Sequence, residues 1–248
     1  MSTLGPALAQ QDADSLPGPP ILLELDSLTQ SLASSIRMSA ARFGRPGRRY
    51  HTLRRGTDLL VCLLVAPIAI LLGLMVALAI KLDDRGPVFF VQSRTGQHGR
   101  RFRMYKFRTM WPDAEARKSD LRSQSFVAWP DFKIVNDPRT TPVGAVLRKC
   151  FLDELPQLIN VLKGDMTLVG PRPTFFSPTS YLLWHTERLE VKPGLTGLWQ
   201  ITRSTDAVSS FDDRARADIN YLRARSSARD IRIILRTFVG CCLRARGV

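Results

Sequence analysis

The sequence has few of the residues that build metal centres and disulfide-stabilised folds. Its 248 residues include four cysteines, with no Cys-x-x-Cys pair, and three histidines that lie far apart, His51, His98 and His185. Scattered histidines argue against a zinc site, and the lack of a cysteine framework indicates a reducing compartment. The first residues also lack the basic start and apolar core of a secretory signal, so none is predicted.

Acidic residues are scarce as well. The chain has 22 Asp and Glu against 36 Lys and Arg, which gives a formal net charge of +14. Residues 1–36 contain four of the acids and no Lys or Arg, so the positive charge belongs to the rest of the chain. A basic body of this kind binds anions, such as nucleic acid, anionic lipid head groups or phosphorylated substrates. Composition does not choose among these three.

Residues 1–50 are predicted to be a disordered or peripheral N-terminal extension. The first part combines proline and glycine with small polar residues, which is typical of disorder. The part that follows, up to position 41, carries one apolar stripe formed by Leu25, Leu28, Leu32 and Ile36. Their spacing of three and four predicts a short peripheral helix.

The segment from Leu59 to Ile80 is the longest apolar run, with 22 residues and no charge. A straight helix of that length would measure about 33 Å, enough to cross a bilayer. Both flanks are basic, so the positive-inside tendency gives no direction. Pro67 lies near the middle, where it removes a backbone hydrogen bond and bends the helix. The residues alone leave two interpretations open, an ordinary transmembrane span and a re-entrant helix that enters and leaves by one face.

The remaining pattern predicts a mostly helical α+β fold with a small β-hairpin. The predicted strands are Val88–Gln92 and Phe102–Phe107, separated by glycines. Predicted helices are a polar one that opens at Pro112, an apolar one over 152–162 that Gly164 ends, and two over 211–223 and 228–239.

The last predicted helix carries apolar and basic residues on opposite faces. Ile231, Ile234, Leu235 and Phe238 share one side, while the other is rich in arginine. Such a helix either lies in a membrane surface or packs its apolar side on the protein core and exposes its basic side to solvent. The sequence is compatible with both.

Candidate chemistry concentrates in three stretches, which are Lys106–Met110, Asp153–Pro173 and Lys192–Gln200. Asp153 and Glu154 open the predicted helix over 152–162, where carboxylates commonly cap free backbone N–H groups. Two adjacent carboxylates also offer a nucleophile toward phosphorus together with a ligand for a metal ion. The Arg of Pro171-Arg172-Pro173 is held in an extended backbone that suits a clamp on a phosphate or a base. Each signal is weak by itself.

Taken in order and spacing, these stretches resemble the monotopic phosphoglycosyl transferases, the bacterial sugar transferase family, in a short form with an N-terminal extension. The resemblance covers about three quarters of the chain. It includes the following further stretches: Arg54-Arg55 with Asp58, Gly86–Phe90, Gln92, Arg94, Gly96, Asp137–Gly144 and Leu147-Arg148.

The resemblance implies a mechanism. Asp153 is expected to attack the β-phosphorus of a UDP-sugar, so that UMP leaves and a sugar phosphate stays on the carboxylate. Undecaprenyl phosphate, a polyprenyl phosphate, then takes the sugar phosphate. Asp153 and Glu154 are expected to bind Mg²⁺. The substrate-binding residues are expected to be Arg148 at the phosphates, the loop Pro171, Arg172 and Pro173 at the nucleotide, and Lys106 and Arg108.

The resemblance also implies the location of the protein. The family's membrane element is a re-entrant helix broken near its middle, usually by Ser-Pro, and Ala66-Pro67 stands here. Residues 51–85 are therefore expected to enter the bacterial inner membrane among its lipids, while residues 86–248 form a catalytic domain that faces the cytosol. Nucleic acid is not an expected partner, and formation of a homodimer stays open.

Two competing functions fit the sequence less well. A membrane-anchored nucleic-acid-binding protein would show aromatics among its exposed arginines and a recognition motif. The alternative enzyme, a membrane glycosyltransferase that moves the sugar alone and releases UDP, usually has an Asp-x-Asp metal motif. Beyond the acidic N-terminal part, the chain offers adjacent acids instead, such as Asp83-Asp84 and Asp212-Asp213.

Overall fold

The structure, a computed structural model, describes residues 47–125, 134, 136–177, 181–202 and 210–245, the last five of them as backbone only. Nearly all of the predicted N-terminal extension lies outside these ranges, so its disordered part and its peripheral helix stay predictions. The described chain is mostly helical and contains two small sheets. The predicted α+β class is confirmed at that level.

The described residues form six α-helices and four strands. The helices are α1 (Arg48–Asp84), α2 (Pro142–Lys149), α3 (Gln157–Lys163), α4 (Leu198–Thr202), α5 (Phe211–Arg223) and α6 (Ser227–Ala245). The strands are β1 (Phe89–Thr95), β2 (Arg101–Phe107), β3 (Thr167–Val169) and β4 (Gly194–Thr196). Short 3₁₀ turns connect them at Gln97–Gly99, Ala116–Lys118, Arg122–Gln124, Leu152–Glu154 and Leu183–Glu190.

Helix α1 contains the long apolar segment. It has 37 residues and remains helical across Pro67. Only 11% of its most apolar window is buried against the rest of the described protein, and its mean hydropathy there is 3.0. Among the described residues it is the one helix long and apolar enough to cross a membrane, and it is compatible with membrane association. A re-entrant path through the bilayer stays a prediction.

The β-hairpin follows directly on α1. Strands β1 and β2 pair antiparallel, from Phe89 opposite Phe107 to Thr95 opposite Arg101. The prediction of a hairpin is confirmed, although β1 extends to Thr95 rather than ending at Gln92. Phe107 packs with Val76 and Ile80 of α1, because its side chain lies on the face of β2 that is turned toward the helix. This contact fixes the hairpin to the membrane helix.

Two predicted helices were wrong in detail. The polar segment after Pro112 forms turns and 3₁₀ turns, not an α-helix, because it has no apolar stripe whose burial could stabilise a longer helix. The predicted helix over 152–162 is divided into a 3₁₀ turn and α3. Pro156 has no N–H to donate to the carbonyl of Leu152, so the helical ladder cannot run through it. Gly164 ends α3 at φ +83°, as predicted.

The parallel pair β3 and β4 was not predicted, because each strand has only three residues. Thr167 lies opposite Gly194, and Val169 lies opposite Thr196. The pair is buried among the largest apolar cluster, which comprises Cys62, Met104, Val161, Met166, Leu168, Val169, Val191, Tyr221, Leu222 and Ile233. The core therefore joins α1, β2, α3, α5 and α6 around this short sheet.

Helix α6 follows the predicted helix over 228–239 and extends it at both ends. It buries Ile233 in the core and leaves Ile231, Leu235 and Phe238 exposed, the last at 69%. Most of the apolar face named from the sequence is therefore not packed on the core. This arrangement favours a role at a membrane surface over plain core packing.

Charged residues at the start of α1 attach it to β3. Asp58 is 5% exposed and accepts hydrogen bonds from the hydroxyl of Thr167, at 2.7 Å, and from the backbone N–H of Leu168, at 3.0 Å. Arg54 donates to the same hydroxyl and to the carbonyl of Val169. Polar side chains of α1 thus pair with polar groups of β3, where Asp58 is buried.

Asp58→Ala should lower the free energy of unfolding by about 3 kcal/mol, because two buried donors lose a charged acceptor. Thermal unfolding in detergent measures the change, with Asp83→Ala, near the other end of α1, as the control. A midpoint equal to that of the wild type would show that Asp58 does not hold α1 to the body.

Candidate active site

The carboxylate pair Asp153 and Glu154 lies in the 3₁₀ turn between α2 and α3. Phe151, the residue immediately before this turn, has a left-handed backbone with φ 58°. This conformation ends the path of α2 and redirects the chain, so that both carboxylates meet β2. The Nζ atom of Lys106 on β2 lies 2.9 Å from Oε1 of Glu154 and 3.7 Å from Oδ2 of Asp153.

Glu154 is neutralised by two cations. Lys106 and Arg172 both donate to Oε1, and Arg172 also approaches Oε2 at 3.4 Å. Burial acts to raise the pKa of Glu154, but the charges of Arg172 and Lys106 outweigh it and hold the pKa far below the usual range. Glu154 therefore stays ionised and serves as the anchor of a three-membered ion cluster.

Asp153 has a different environment. It is 8% exposed and accepts no hydrogen bond from the described residues. Burial raises its pKa, and the neighbouring Glu154 adds to that effect, whereas Lys106 and Arg148 oppose it. Adjacent carboxyls thus have pKa values shifted in opposite directions, an arrangement that is common where two acids serve different roles in one site.

Arg148 provides a third cation beside Asp153. It lies in the last turn of α2. Its Nε donates to the hydroxyl of Thr109 at 2.9 Å, and its Nη1 donates to the hydroxyl of Thr140 at 3.2 Å. No carboxylate forms an ion pair with it within the described ranges. Its charge lowers the pKa of Asp153, so the guanidinium and the carboxylate serve one site.

The loop Pro171, Arg172 and Pro173 continues from β3. Gly170 brings it against β4, because a Cβ there would lie 2.7 Å from the carbonyl oxygen of Lys192. The Gly194 N–H donates to the carbonyl of Pro171 at 2.9 Å. Both prolines are buried, whereas the side chain of Arg172 stays 41% exposed. The short parallel sheet thus aims Arg172 at the carboxylates.

A cavity of about 370 Å³, partly open to solvent, lies next to this loop. Its walls combine arginines with aromatic rings, and they are formed by Arg94, Arg172, Pro173, Thr174, Phe175, Phe176, Arg188, Trp199, Arg214 and Asp218. Trp199 is only partly buried, so its default interpretation from the sequence as a core residue was incomplete.

Arg188 supports the same loop and was not anticipated. It is buried, pairs with Asp218 at 2.5 Å, and donates to the backbone carbonyl of Arg172 at 2.8 Å. The sequence carried no signal for this pair, because the partners lie 30 positions apart in segments without a recognisable motif. Only packing of the Leu183–Glu190 turn on α5 brings them together.

Arg108 is not brought to the carboxylates, although the sequence placed it with the substrate-binding residues. It is 7% exposed and forms an ion pair with Asp84 at the end of α1. Gly86 lies against the guanidinium, and a Cβ there would be 2.7 Å from Nη2. Arg108 follows the last residue of β2 and links α1 to the end of the hairpin, whereas Lys106 on β2 contacts the carboxylates.

The donors for the expected Mg²⁺ are carboxylates alone. Within the described ranges no group of three or more His, Cys, Asp or Glu side chains converges. Mg²⁺ is commonly bound by one or two carboxylates together with phosphate oxygens of a substrate. The pair Asp153 and Glu154 fits that chemistry. The oxygens of Asp153 accept no hydrogen bond from the described residues, and Oε2 of Glu154 accepts only from Arg172, at 3.4 Å, so lone pairs remain for a metal ion.

Comparison with known proteins finds a family and relatives that match most of this chain. A family model described as bacterial sugar transferase matches residues 49–244. Exopolysaccharide production protein ExoY of Sinorhizobium fredii is 35% identical over 195 residues, which cover 77% of this chain and 85% of that protein.

Two longer relatives match as well. Galactosyl transferase CpsE of Streptococcus agalactiae is 46% identical over 155 residues, 62% of this chain and 34% of that protein. Undecaprenyl-phosphate galactose phosphotransferase of Salmonella typhimurium is 39% identical over 191 residues, 75% of this chain and 39% of that protein. The chain thus spans little more than a third of these two proteins.

The opposite pKa shifts predict opposite stability changes in chelator-containing buffer. Asp153→Asn should raise the unfolding midpoint at pH 7.5, because it removes a buried charge whose pKa is raised. Glu154→Gln should lower it, because Lys106 and Arg172 lose their anion. The difference for Asp153→Asn should already disappear as the pH falls to about 4, because the raised pKa of Asp153 lies above the ordinary carboxyl range. The difference for Glu154→Gln should begin to shrink only below about 4 and persist in part at about pH 3, because the pKa of Glu154 lies far below that range. Thermal unfolding of both variants from pH 3 to 8 tests this, and equal signs would contradict the asymmetry.

Proposed function

The chain belongs to the bacterial sugar transferase family, and we propose that it transfers a sugar 1-phosphate from a UDP-sugar to undecaprenyl phosphate. The observation that carries the proposal is the asymmetric carboxylate pair. Asp153 accepts no hydrogen bond from the described residues, whereas its neighbour Glu154 is hydrogen-bonded by Lys106 and Arg172. Relatives named as undecaprenyl-phosphate sugar phosphotransferases or exopolysaccharide production proteins support the substrate class and a role at the start of glycan assembly.

The reaction has two displacements at one phosphorus. A carboxylate oxygen of Asp153 attacks the β-phosphorus of the UDP-sugar, and the bond from that phosphorus to the bridging oxygen breaks, so that UMP leaves. An oxygen of undecaprenyl phosphate then attacks the same phosphorus and releases the carboxylate. The lipid product carries the sugar through a diphosphate, and Asp153 returns to its starting form.

The cations around Asp153 stabilise charge on the transferred group. Arg148, Lys106 and Arg172 come from α2, β2 and the loop after β3, and the positive charge of each lowers the pKa of Asp153. Preorganised cations of this kind are the main contribution of a protein to phosphoryl transfer. Glu154 positions two of them, which explains why it is ionised and bonded while Asp153 is free.

Mg²⁺ fits the same site. Asp153 and Glu154 would hold it, and the bound ion would neutralise negative charge on the diphosphate. The cavity beside Arg172 suits the nucleotide, because Phe175 and Trp199 offer rings for the base among arginines for the phosphates.

The protein is proposed to sit on the cytosolic face of the bacterial inner membrane. Nucleotide sugars are cytosolic, so the catalytic domain, residues 86–248, must face that side. A re-entrant path for residues 51–85 would keep both basic flanks of α1 in the cytosol. The exposed apolar face of α6 would rest on the lipid surface and bring Asp153 within reach of a lipid phosphate.

Asp153→Asn should reduce UMP formation by more than about a thousandfold, because an amide cannot form the acyl phosphate. The purified membrane protein is incubated with Mg²⁺, undecaprenyl phosphate and a panel of UDP-sugars, and the nucleotide product is identified. Asp165→Asn, in the segment after α3, serves as the control. A sugar phosphate label that stays on the wild type without acceptor, and not on Asp153→Asn, would show the covalent step directly.

Two outcomes would contradict the proposal. Substantial turnover by Asp153→Asn would remove Asp153 as the nucleophile. Release of UDP by the wild type would mean that the sugar moves alone, as in a membrane glycosyltransferase.

Membrane topology can be tested separately. Tags at residue 2 and at the C terminus should both be protected from protease added to intact cells, because a re-entrant helix returns the chain to the cytosolic side. Permeabilised cells provide the control for tag cleavage. Opposite accessibility of the two tags would show that α1 crosses the bilayer.

A further inference from the structure

We propose that Thr109 and Thr140 are positioning residues that orient Arg148 toward the β-phosphate of the nucleotide sugar. The inference rests on the proposed function, since it assumes that a diphosphate occupies the space beside Asp153. Both threonines lie in stretches that were named from the sequence, Lys106–Met110 and Asp137–Gly144, but neither was among the predicted site residues. Their role follows from where the folded chain places their hydroxyl groups.

The two hydroxyls accept hydrogen bonds from two different nitrogens of the guanidinium. Nε of Arg148 donates to Oγ1 of Thr109 at 2.9 Å, and Nη1 donates to Oγ1 of Thr140 at 3.2 Å. A guanidinium is a planar fork with five donors. Two bonds in its plane fix the orientation of the whole group, and Nη2 makes no hydrogen bond to the described residues. The Nη2 side of the guanidinium therefore points in a fixed direction. No carboxylate of the described residues forms an ion pair with it.

The two threonines are themselves held together by backbone contacts. Met110 and Thr140 form an antiparallel bridge, which the Trp111 N–H extends by donating to the carbonyl of Arg139 at 2.9 Å. The Thr141 N–H donates to the carbonyl of Thr109 at 3.1 Å. Thr109 and Thr140 thus belong to one small rigid unit rather than to two independent loops.

Helix α2 is tied to the same unit at its other end. The hydroxyl of Thr141 caps α2 by accepting from the Gly144 N–H at 2.9 Å. Gly144 lies so close to Thr109 that an added Cβ would be 2.1 Å from its carbonyl oxygen. The first turn of α2 therefore packs on the backbone of Thr109, and its last turn returns Arg148 to the Thr109 side chain.

Three of the sequence motifs together hold the side chain of Arg148. Lys106–Met110, Asp137–Gly144 and Leu147-Arg148 are separate in sequence but form the support of one cation. The charge of Arg148 acts on Asp153, so the oriented guanidinium and the nucleophile address the same phosphorus. Binding of a phosphate costs an arginine side chain less conformational entropy when its guanidinium is already held in one orientation.

The test compares UDP, which has a β-phosphate, with UMP, which lacks it. In Thr109→Val with Thr140→Val, the dissociation constant for UDP should rise about tenfold, the size expected when a charged contact is misoriented. The constant for UMP should stay within about twofold of the wild type. Isothermal titration calorimetry of the detergent-solubilised full chain measures both. Valine has nearly the shape of threonine and replaces the hydroxyl with a methyl group, which cannot accept a hydrogen bond. Thr52→Val on α1 is the matched control.

Dependence on Arg148 is tested in the same assay. Arg148→Ala should lower UDP affinity selectively, and adding both valine substitutions to it should change nothing further. Thr109→Ser with Thr140→Ser should restore wild-type UDP affinity, because serine keeps the acceptor. These results would support positioning through Arg148.

Equal losses of UDP and UMP affinity, no loss at all, or additive losses in the Arg148→Ala background would each overturn the inference. The outcome is separable from that of the proposed function. Release of UDP in the transfer assay would reject phosphoglycosyl transfer, whereas the UDP and UMP affinities would still report whether the threonines orient Arg148.

Discussion

The ion cluster of Lys106, Glu154 and Arg172 is the interaction on which the site depends. Glu154 accepts from both cations, and these come from β2 and from the loop after β3. A buried carboxylate with two partners is stable only while both elements stay in place, since removing one leaves uncompensated charge. The cluster thus fixes the hairpin, the carboxylate turn and the proline-rich loop relative to one another, and it leaves Asp153 as the carboxylate without a hydrogen-bonded cation.

Charged side chains also attach the apolar helix α1 to the rest of the protein. Arg54 and Asp58 lie on the first turns of α1 and bond to β3, which carries the loop with Arg172. At the other end of α1, Asp84 pairs with Arg108, two residues after Lys106 on the hairpin. Charged residues at both ends of an apolar helix therefore position two of the three segments that carry cations of the site, the hairpin with Lys106 and the loop with Arg172. The active site is placed at a set height relative to the membrane helix, which suits an acceptor whose phosphate is confined to the lipid surface.

Much of this could be predicted from the chain. The apolar segment, the hairpin, the carboxylate pair and the loop at Arg172 are local patterns, and the structure confirms where they form. The errors have physical causes. A polar segment without an apolar stripe was taken for a helix, and Pro156 divided another. The ion pair of Arg108 with Asp84 was not predicted, because no local pattern joins the end of α1 to the end of β2. The cavity with Trp199 and the pair Arg188 and Asp218 had no local signal.

The sequence by itself determined the family, the membrane segment and the residue types of the site, because these depend on composition, periodicity and the order of short motifs. The tertiary structure alone decided which of the basic residues serve the carboxylates. A chain with 36 Lys and Arg offers many candidates. The acid or hydroxyl that each side chain contacts in the folded protein decides whether it stabilises the fold or contributes a positive charge to the site. These contacts join residues that are tens of positions apart. They depend on how α1, the hairpin and the short parallel sheet pack together, and no local sequence pattern predicts them.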